Sequence, residues 1–132
     1  METVFPNVLA AWASMTAGCI WGAISGLFFQ REEWLGGYGS FRRRLLRLGH
    51  VACFGLAFVN LAFVGTCAGG YLPTEWQAYL GASMIVGLCT MPSACLLAAW
   101  KPQWKGVFCI PVASTAVGVI GTLIEVVKGC LH

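Results

Sequence analysis

Long apolar runs alternate with short polar connections along this chain. Four runs are predominantly apolar: residues 8–29, 49–66, 79–100 and 107–127. A helix needs about 20 such residues to cross the hydrocarbon core of a bilayer. The pattern therefore predicts an all-α fold, an integral membrane bundle of four antiparallel transmembrane helices in one domain that covers residues 1–132.

The composition favours the same class of protein. Of the 132 residues, 58% are hydrophobic and 10% are charged. A soluble domain of this size needs a far more polar surface. The connections between the apolar runs are short, so they leave no room for a second domain.

Small residues recur at every fourth position of the first run: Ala10, Ser14, Gly18, Gly22 and Gly26. On a helix they form one smooth face, a glycine zipper, which lets transmembrane helices approach closely. The fourth run presents a second small face, formed by Ser114, Gly118 and Thr122. We expect such faces to close the core of the monomer first and to leave oligomerisation to the surfaces that remain.

The basic residues are distributed unevenly. All of them except Lys128 lie in or beside the first and third loops. Short loops rich in Lys and Arg stay on the cytoplasmic side of a membrane. The bias predicts cytoplasmic loops 1 and 3 and external termini in a plasma or inner membrane, with residues 1–7 as a short external leader.

Basic and aromatic residues beside these loops are expected to contact lipid headgroups. Arg42, Arg43, Arg44 and Arg47 form a cluster that suits anionic lipids. Trp100 and Trp104 flank the third loop, a position typical of interfacial aromatic belts. Because the basic patch is short and lies at a membrane surface, no nucleic-acid partner is expected.

The second run carries the polar residues of a candidate site. His50, Cys53 and Asn60 fall on or beside one stripe of the helix. Asn60 would be costly facing lipid, so the stripe is expected to face the bundle interior, where it makes either a structural hydrogen bond or a ligand contact. The His50 ring could bind haem b or a quinone, although His132 lies at the wrong end of the protein to be a second haem ligand.

Other candidate contacts lie at the external ends of the helices. Cys67 and Cys130 could form a disulfide in an oxidising compartment. Glu125 continues the small face of the fourth helix towards the bundle, where its carboxylate either pairs with Lys128 one turn further on or extends to water. The cysteines lack the CxxC or Cys/His spacing of a metal site, so no metal is expected.

The preferred functional interpretation is a small non-catalytic multi-pass subunit or scaffold of a larger membrane assembly, a class that includes energy-converting complexes. The chain contains no phosphate-binding loop, dinucleotide fingerprint or nucleophile elbow. Two alternatives stay open. One is a redox protein that binds quinone or haem b around His50, and the other is a homo-oligomeric channel or small transporter lined by Asn60 and Glu125.

Overall fold

Four long helices make up the computed structural model, which describes residues 2–131. Met1, the first residue of the predicted leader, and His132, excluded above as a haem ligand, lie outside the described residues. The long helices are α1 (Phe5–Phe28), α2 (Phe41–Ala68), α3 (Thr74–Trp100) and α4 (Cys109–Leu131). Short 3-10 turns cover Glu2–Val4, Trp34–Gly36 and Pro102–Phe108, and residues 2–131 contain no strand.

Each of the four helices is long and apolar enough to cross a membrane. The predicted all-α fold with four candidate transmembrane helices is therefore confirmed. The architecture is that of a multi-pass membrane protein.

Three helices, α1, α2 and α3, begin earlier than their apolar runs. α1 begins one residue before Pro6, whose missing N–H and fixed backbone angle suit the first turn of a helix. Residues 5–7 therefore belong to α1, and the external position of residues 1–7 stays a prediction. α2 begins at Phe41, because the Ser40 hydroxyl accepts a hydrogen bond from the Arg43 backbone N–H and caps the helix.

Neighbouring helices run in opposite directions. Near the chain termini, Asn7 of α1 contacts Gly81 at the start of α3. Nearer the loops that connect α1 to α2 and α3 to α4, Gly49 of α2 faces the Trp21 ring of α1 and Cys95 of α3. We call these regions the termini end and the loop end of the bundle. The loops from α1 to α2 and from α3 to α4 share the loop end, which carries most of the basic residues.

α3 lies at the centre of the packing. It contacts α2 and α4 extensively and α1 more narrowly, whereas α1 packs mainly on α2. Three clusters of buried apolar side chains follow from this arrangement. They comprise Val4, Phe63, Leu72, Leu80 and Met84 near the termini end, Ala11, Ala57 and Leu88 in the middle, and Leu45, Ala98 and Ala99 near the loop end. Because α4 contacts mainly α3, it forms an outer layer on that helix.

The small residues of α1 face α2. A methyl group on Gly18 would lie 2.6 Å from Cε2 of Phe54, and one on Gly22 would lie 2.6 Å from Cε1 of His50. The two helix backbones therefore approach closely along the middle of α1. A methyl group on Gly26 would meet nothing within 4 Å, so the close approach ends before the loop end.

The small face of α4 meets α3 and not α1. A methyl group on Gly118 would lie 2.5 Å from Cγ of Met84. Ser114 and Thr122 donate their hydroxyl hydrogen bonds to carbonyls of α4 itself. The small residues of α1 and of α4 thus pack against different neighbours.

Candidate functional site

Two asparagines form a polar contact across three helices near the termini end. Asn7 donates hydrogen bonds from its side-chain amide to Oδ1 of Asn60 and to the Gly81 carbonyl, both at 2.9 Å. Asn60 donates to the carbonyls of Leu56 at 2.9 Å and Met84 at 3.5 Å. Both asparagine side chains are 1% exposed. We call this set the asparagine node, and it joins α1, α2 and α3.

The structure places the three predicted cofactor residues, His50, Cys53 and Asn60, in different surroundings. Asn60 lies about 15 Å from His50 along α2, at about 1.5 Å per residue. Cys53 is buried against α1, where its carbonyl accepts the Ser14 hydroxyl hydrogen bond at 2.9 Å. The three residues do not line one site, which corrects the predicted cofactor position. The Asn60 amide is enclosed by helices, so it does not line an open path either.

A cavity of about 200 Å³ lies between α1 and α2 at the loop end, and we call it the loop-end cavity. Its wall includes Gly22 and Gly26 of α1, Phe29 and Trp34 of the connecting loop, and Arg43, Arg47 and His50 of α2. Pockets that enclose drug-sized ligands have volumes of about 300–1,000 Å³. The loop-end cavity is therefore too small for a molecule as large as haem b.

Arg43 is a charged side chain of the cavity wall with only 2% exposure. Its Nη2 donates a 2.6 Å hydrogen bond to the Phe29 carbonyl at the end of α1. Its guanidinium carbon lies 5.1 Å from the ring centre of Phe29, 4.9 Å from that of Tyr38 and 5.7 Å from that of Trp34. Such cation–π contacts offset part of the lost hydration. Nε has no hydrogen-bond partner among the described residues.

Arg43 is buried, unlike the other three arginines of the predicted headgroup cluster. Aromatic rings and the end of α1 enclose its guanidinium, so it does not lie on the exposed surface of the bundle. Arg42 and Arg44 are exposed, as are Trp100 and Trp104. Their contacts with headgroups stay predictions.

Arg47 lies one turn beyond Arg43 on the same wall. Its Nη2 donates to the Tyr38 carbonyl at 3.3 Å, and its guanidinium carbon lies 4.7 Å from the Tyr38 ring centre. The loop reaches this position through three consecutive positive φ angles, 58° at Leu35, 86° at Gly36 and 93° at Gly37. The left-handed conformation costs about 1–2 kcal/mol for a residue such as leucine. The turn folds the loop back over the arginine side chains.

His50 forms the part of the wall that lies furthest from the loop. Its ring packs against Gly22 and lies edge-on to Phe54, with ring centres 5.4 Å apart. Nδ1 is buried and has no hydrogen-bond partner within residues 2–131. An imidazole nitrogen donates or accepts a hydrogen bond according to its tautomer. His50 therefore adds a polar atom to a wall that already carries two guanidinium groups.

The carboxylates lie away from the loop-end cavity. The one ion pair found in residues 2–131 is at the termini end, where Lys128 Nζ lies 2.6 Å from Oε1 of Glu125, one of the two arrangements that their spacing allows. Glu32 and Glu33 line a separate hollow of the connecting loop together with Arg31. Arg43 and Arg47 of the cavity wall form no ion pair with any side chain of residues 2–131.

All seven cysteines are free thiols. Cys67 and Cys130 are not bridged, which corrects the predicted disulfide. Cys67 packs partly buried against the core at the termini end, whereas Cys130 is exposed on α4. From residue 2 to residue 131, no three His, Cys, Asp or Glu side chains are grouped as metal ligands.

Asn7 and the aromatic residues around Arg43 are the site residues that the sequence did not indicate. The position of Asn7 beside Pro6, in a first helical turn, is the signal that would have placed it in α1. Three aromatic residues near an arginine cluster indicate interfacial anchors and intramolecular cation–π contacts equally well. Their arrangement around one guanidinium depends on the turn at residues 35–37.

These features define a helical multi-pass membrane protein with a small cavity, lined by two arginines and a histidine, at one end. The chain matches no known protein family, no curated protein and no solved structure.

Proposed function

We propose that the chain is a small non-catalytic subunit or scaffold of a larger membrane assembly, with loops 1 and 3 in the cytoplasm beside a plasma or inner membrane. The observation that carries the proposal is the outer face of α2. Exposed residues follow one another there at alternating spacings of three and four: Leu48, Val51, Gly55, Phe58, Ala62 and Gly65. This is the heptad spacing of helices that pack knobs into holes.

Two glycines make this outer face suitable for a neighbouring helix. A methyl group on Gly55 or on Gly65 would meet nothing within 4 Å, so no contact inside the chain explains either glycine. A glycine in the middle of a helix costs about 0.5–1 kcal/mol relative to alanine. In membranes such small positions admit the backbone of a second helix. Phe58 is 62% exposed between the two glycines and has the size of a knob.

Filling the outer face of α2 tests the proposal. Gly55→Leu and Ala62→Leu should abolish the assembly that native gel electrophoresis detects in gently solubilised membranes. The melting temperature of the purified chain should not fall, because a side chain at Gly55 has open space around its first atom. The matched control is Ala23→Leu, at an exposed alanine on α1 outside this face.

Two results would overturn the proposal. The first is that the wild-type chain runs as a lone monomer and that its deletion leaves every membrane complex intact. The second is an assembly that survives both leucine substitutions on the outer face of α2.

The alternative of a homo-oligomeric channel or transporter would use the same face of α2 for self-association, because Gly18 and Gly22 of the expected glycine zipper already face Phe54 and His50 inside the chain. Co-purification of two differently tagged copies would favour it over a hetero-oligomeric assembly. Its two predicted lining residues are engaged inside the chain, Asn60 in the asparagine node and Glu125 with Lys128. The test is solute flux into liposomes. Flux with the wild-type chain that is lost with Glu125→Ala would establish this alternative.

The redox alternative now rests on His50 alone. The volume of about 200 Å³ around its ring argues against haem b. A visible absorption spectrum of the protein purified in mild detergent tests this point, because bound haem gives a Soret band. A quinone carbonyl could accept a hydrogen bond from the His50 ring, and extraction of quinone from the purified protein tests that version.

A further inference from the structure

We propose that the loop-end cavity binds the phosphate group of an anionic membrane lipid, with Arg43, Arg47 and His50 as the contacting residues. This site is separate from the outer face of α2 and does not depend on the proposed assembly. The first observation is that Arg43 is 2% exposed, borders the cavity and has an Nε without a partner in the described chain.

Arg43 also has a structural role, because it connects the loop to the end of α1. That role uses Nη2, which bonds the Phe29 carbonyl, and the faces of the guanidinium, which contact aromatic rings. It leaves Nε unused. A buried charge is costly unless it is paired and hydrogen-bonded. A phosphate group in the adjoining cavity would supply the opposite charge, and a shift of the buried guanidinium would bring Nε to one of its oxygens.

The other polar groups of the wall match the same ligand. Arg47 uses Nη2 for the Tyr38 carbonyl, and its other N–H groups stay open on an exposed side chain. His50 adds Nδ1, which is buried without a partner in residues 2–131. Guanidinium forks bind phosphate oxygens in bidentate fashion. Two guanidinium groups beside a cavity of about 200 Å³ therefore favour an anion over a cation.

The surroundings of the cavity favour a lipid as the source of the phosphate. An apolar crevice of about 440 Å³ adjoins the cavity and shares Ser25, Trp34 and Leu46 with its wall. The crevice follows α1 towards the middle of the bundle, with Ile20 and Leu96 among its lining residues. An acyl chain would bury apolar surface there, whereas free phosphate would gain nothing from it. The position at one end of four membrane-spanning helices corresponds to the headgroup level.

Lipid titration of the purified chain tests the site. The probe is dioleoyl phosphatidylglycerol added to the protein in a neutral detergent, and the readout is the apparent affinity from the rise in melting temperature. Arg47→Gln should weaken binding about 10- to 100-fold, the value of one charge-assisted hydrogen bond. Gly26→Leu should weaken it similarly, because its side chain extends into open space beside the cavity. Neither variant removes the bond between Arg43 and Phe29 that holds the loop.

The control variant is Arg44→Gln, which removes the same charge from an exposed position outside the cavity. It should weaken binding by no more than about threefold, because exposed charges are screened. Equal weakening by Arg44→Gln and Arg47→Gln would overturn the site in favour of general attraction. Inorganic phosphate that raises the melting temperature as much as the lipid does, at the same concentration, would overturn the assignment to a lipid.

Discussion

Removal of the Asn7 side chain tests whether the asparagine node holds three helices together. Asn7→Ala deletes two hydrogen bonds of 2.9 Å, one to Oδ1 of Asn60 and one to the Gly81 carbonyl. Interhelical hydrogen bonds in membrane proteins contribute about 0.6 kcal/mol on average and up to about 1.7 kcal/mol. Two such bonds give a loss of about 1–3 kcal/mol in the free energy of unfolding. The upper part of that range is expected, because both acceptors stay buried without their donor.

The assay is reversible unfolding of the purified chain in mixed detergent micelles. Thr16→Ala is the matched control, because the Thr16 hydroxyl bonds the Trp12 carbonyl of its own helix on an exposed face, and its loss should cost less than about 0.5 kcal/mol. Asn60→Ala and the double variant complete a double-mutant cycle with an expected coupling of about 0.6–1.7 kcal/mol. If Asn7→Ala costs no more than Thr16→Ala, or the coupling is near zero, the node does not determine the packing.

Two further predictions concern the close approach of helices. Gly87→Ala should destabilise the chain by about 1–3 kcal/mol, because the new methyl group would lie 3.3 Å from the Thr115 backbone nitrogen and push α4 away from α3. The methyl group of Gly55→Ala meets nothing within 4 Å, so this variant should stabilise the chain by about 0.5–1 kcal/mol. Both free energies of unfolding are measured in detergent, and changes of the same sign in the two variants would contradict the packing. Gly22→Leu should lower the melting temperature more than Leu27→Ala, because Gly22 faces an imidazole at 2.6 Å and Leu27 is 81% exposed; equal melting temperatures would refute this.

The helices could be predicted from the sequence because bilayer thickness fixes the length of the apolar runs. Their starts could not be predicted from hydropathy, since local capping decides them. Ser40 caps α2 before a basic segment that is not apolar, and Pro6 starts α1 before the apolar run. Hydropathy describes the part of a helix that lies in lipid, whereas capping describes where the backbone first becomes helical.

The partners of buried polar groups could be predicted only in part. Asn60 was expected to face the interior, and it does so with 1% exposure, because the cost of a polar group in lipid is a property of its own helix. Its partner Asn7 depends on which face of α1 meets α2. The same limit applies to Arg42, Arg43 and Arg44. Successive residues point about 100° apart on a helix, so only Arg43 faces the aromatic loop.

α1 and α2 pack closely at the asparagine node and lie apart at the loop-end cavity. At the termini end, Asn7 and Asn60 satisfy one another, so α1 and α2 can approach without a polar group left over. The approach continues to Gly22 and ends before Gly26. At the loop end, Arg43 carries a full charge that no side chain of the described residues neutralises, and the aromatic rings around it are too large for a close helix contact. The two helices therefore part where their polar groups cannot pair with each other, and the space between them is lined by the groups that remain.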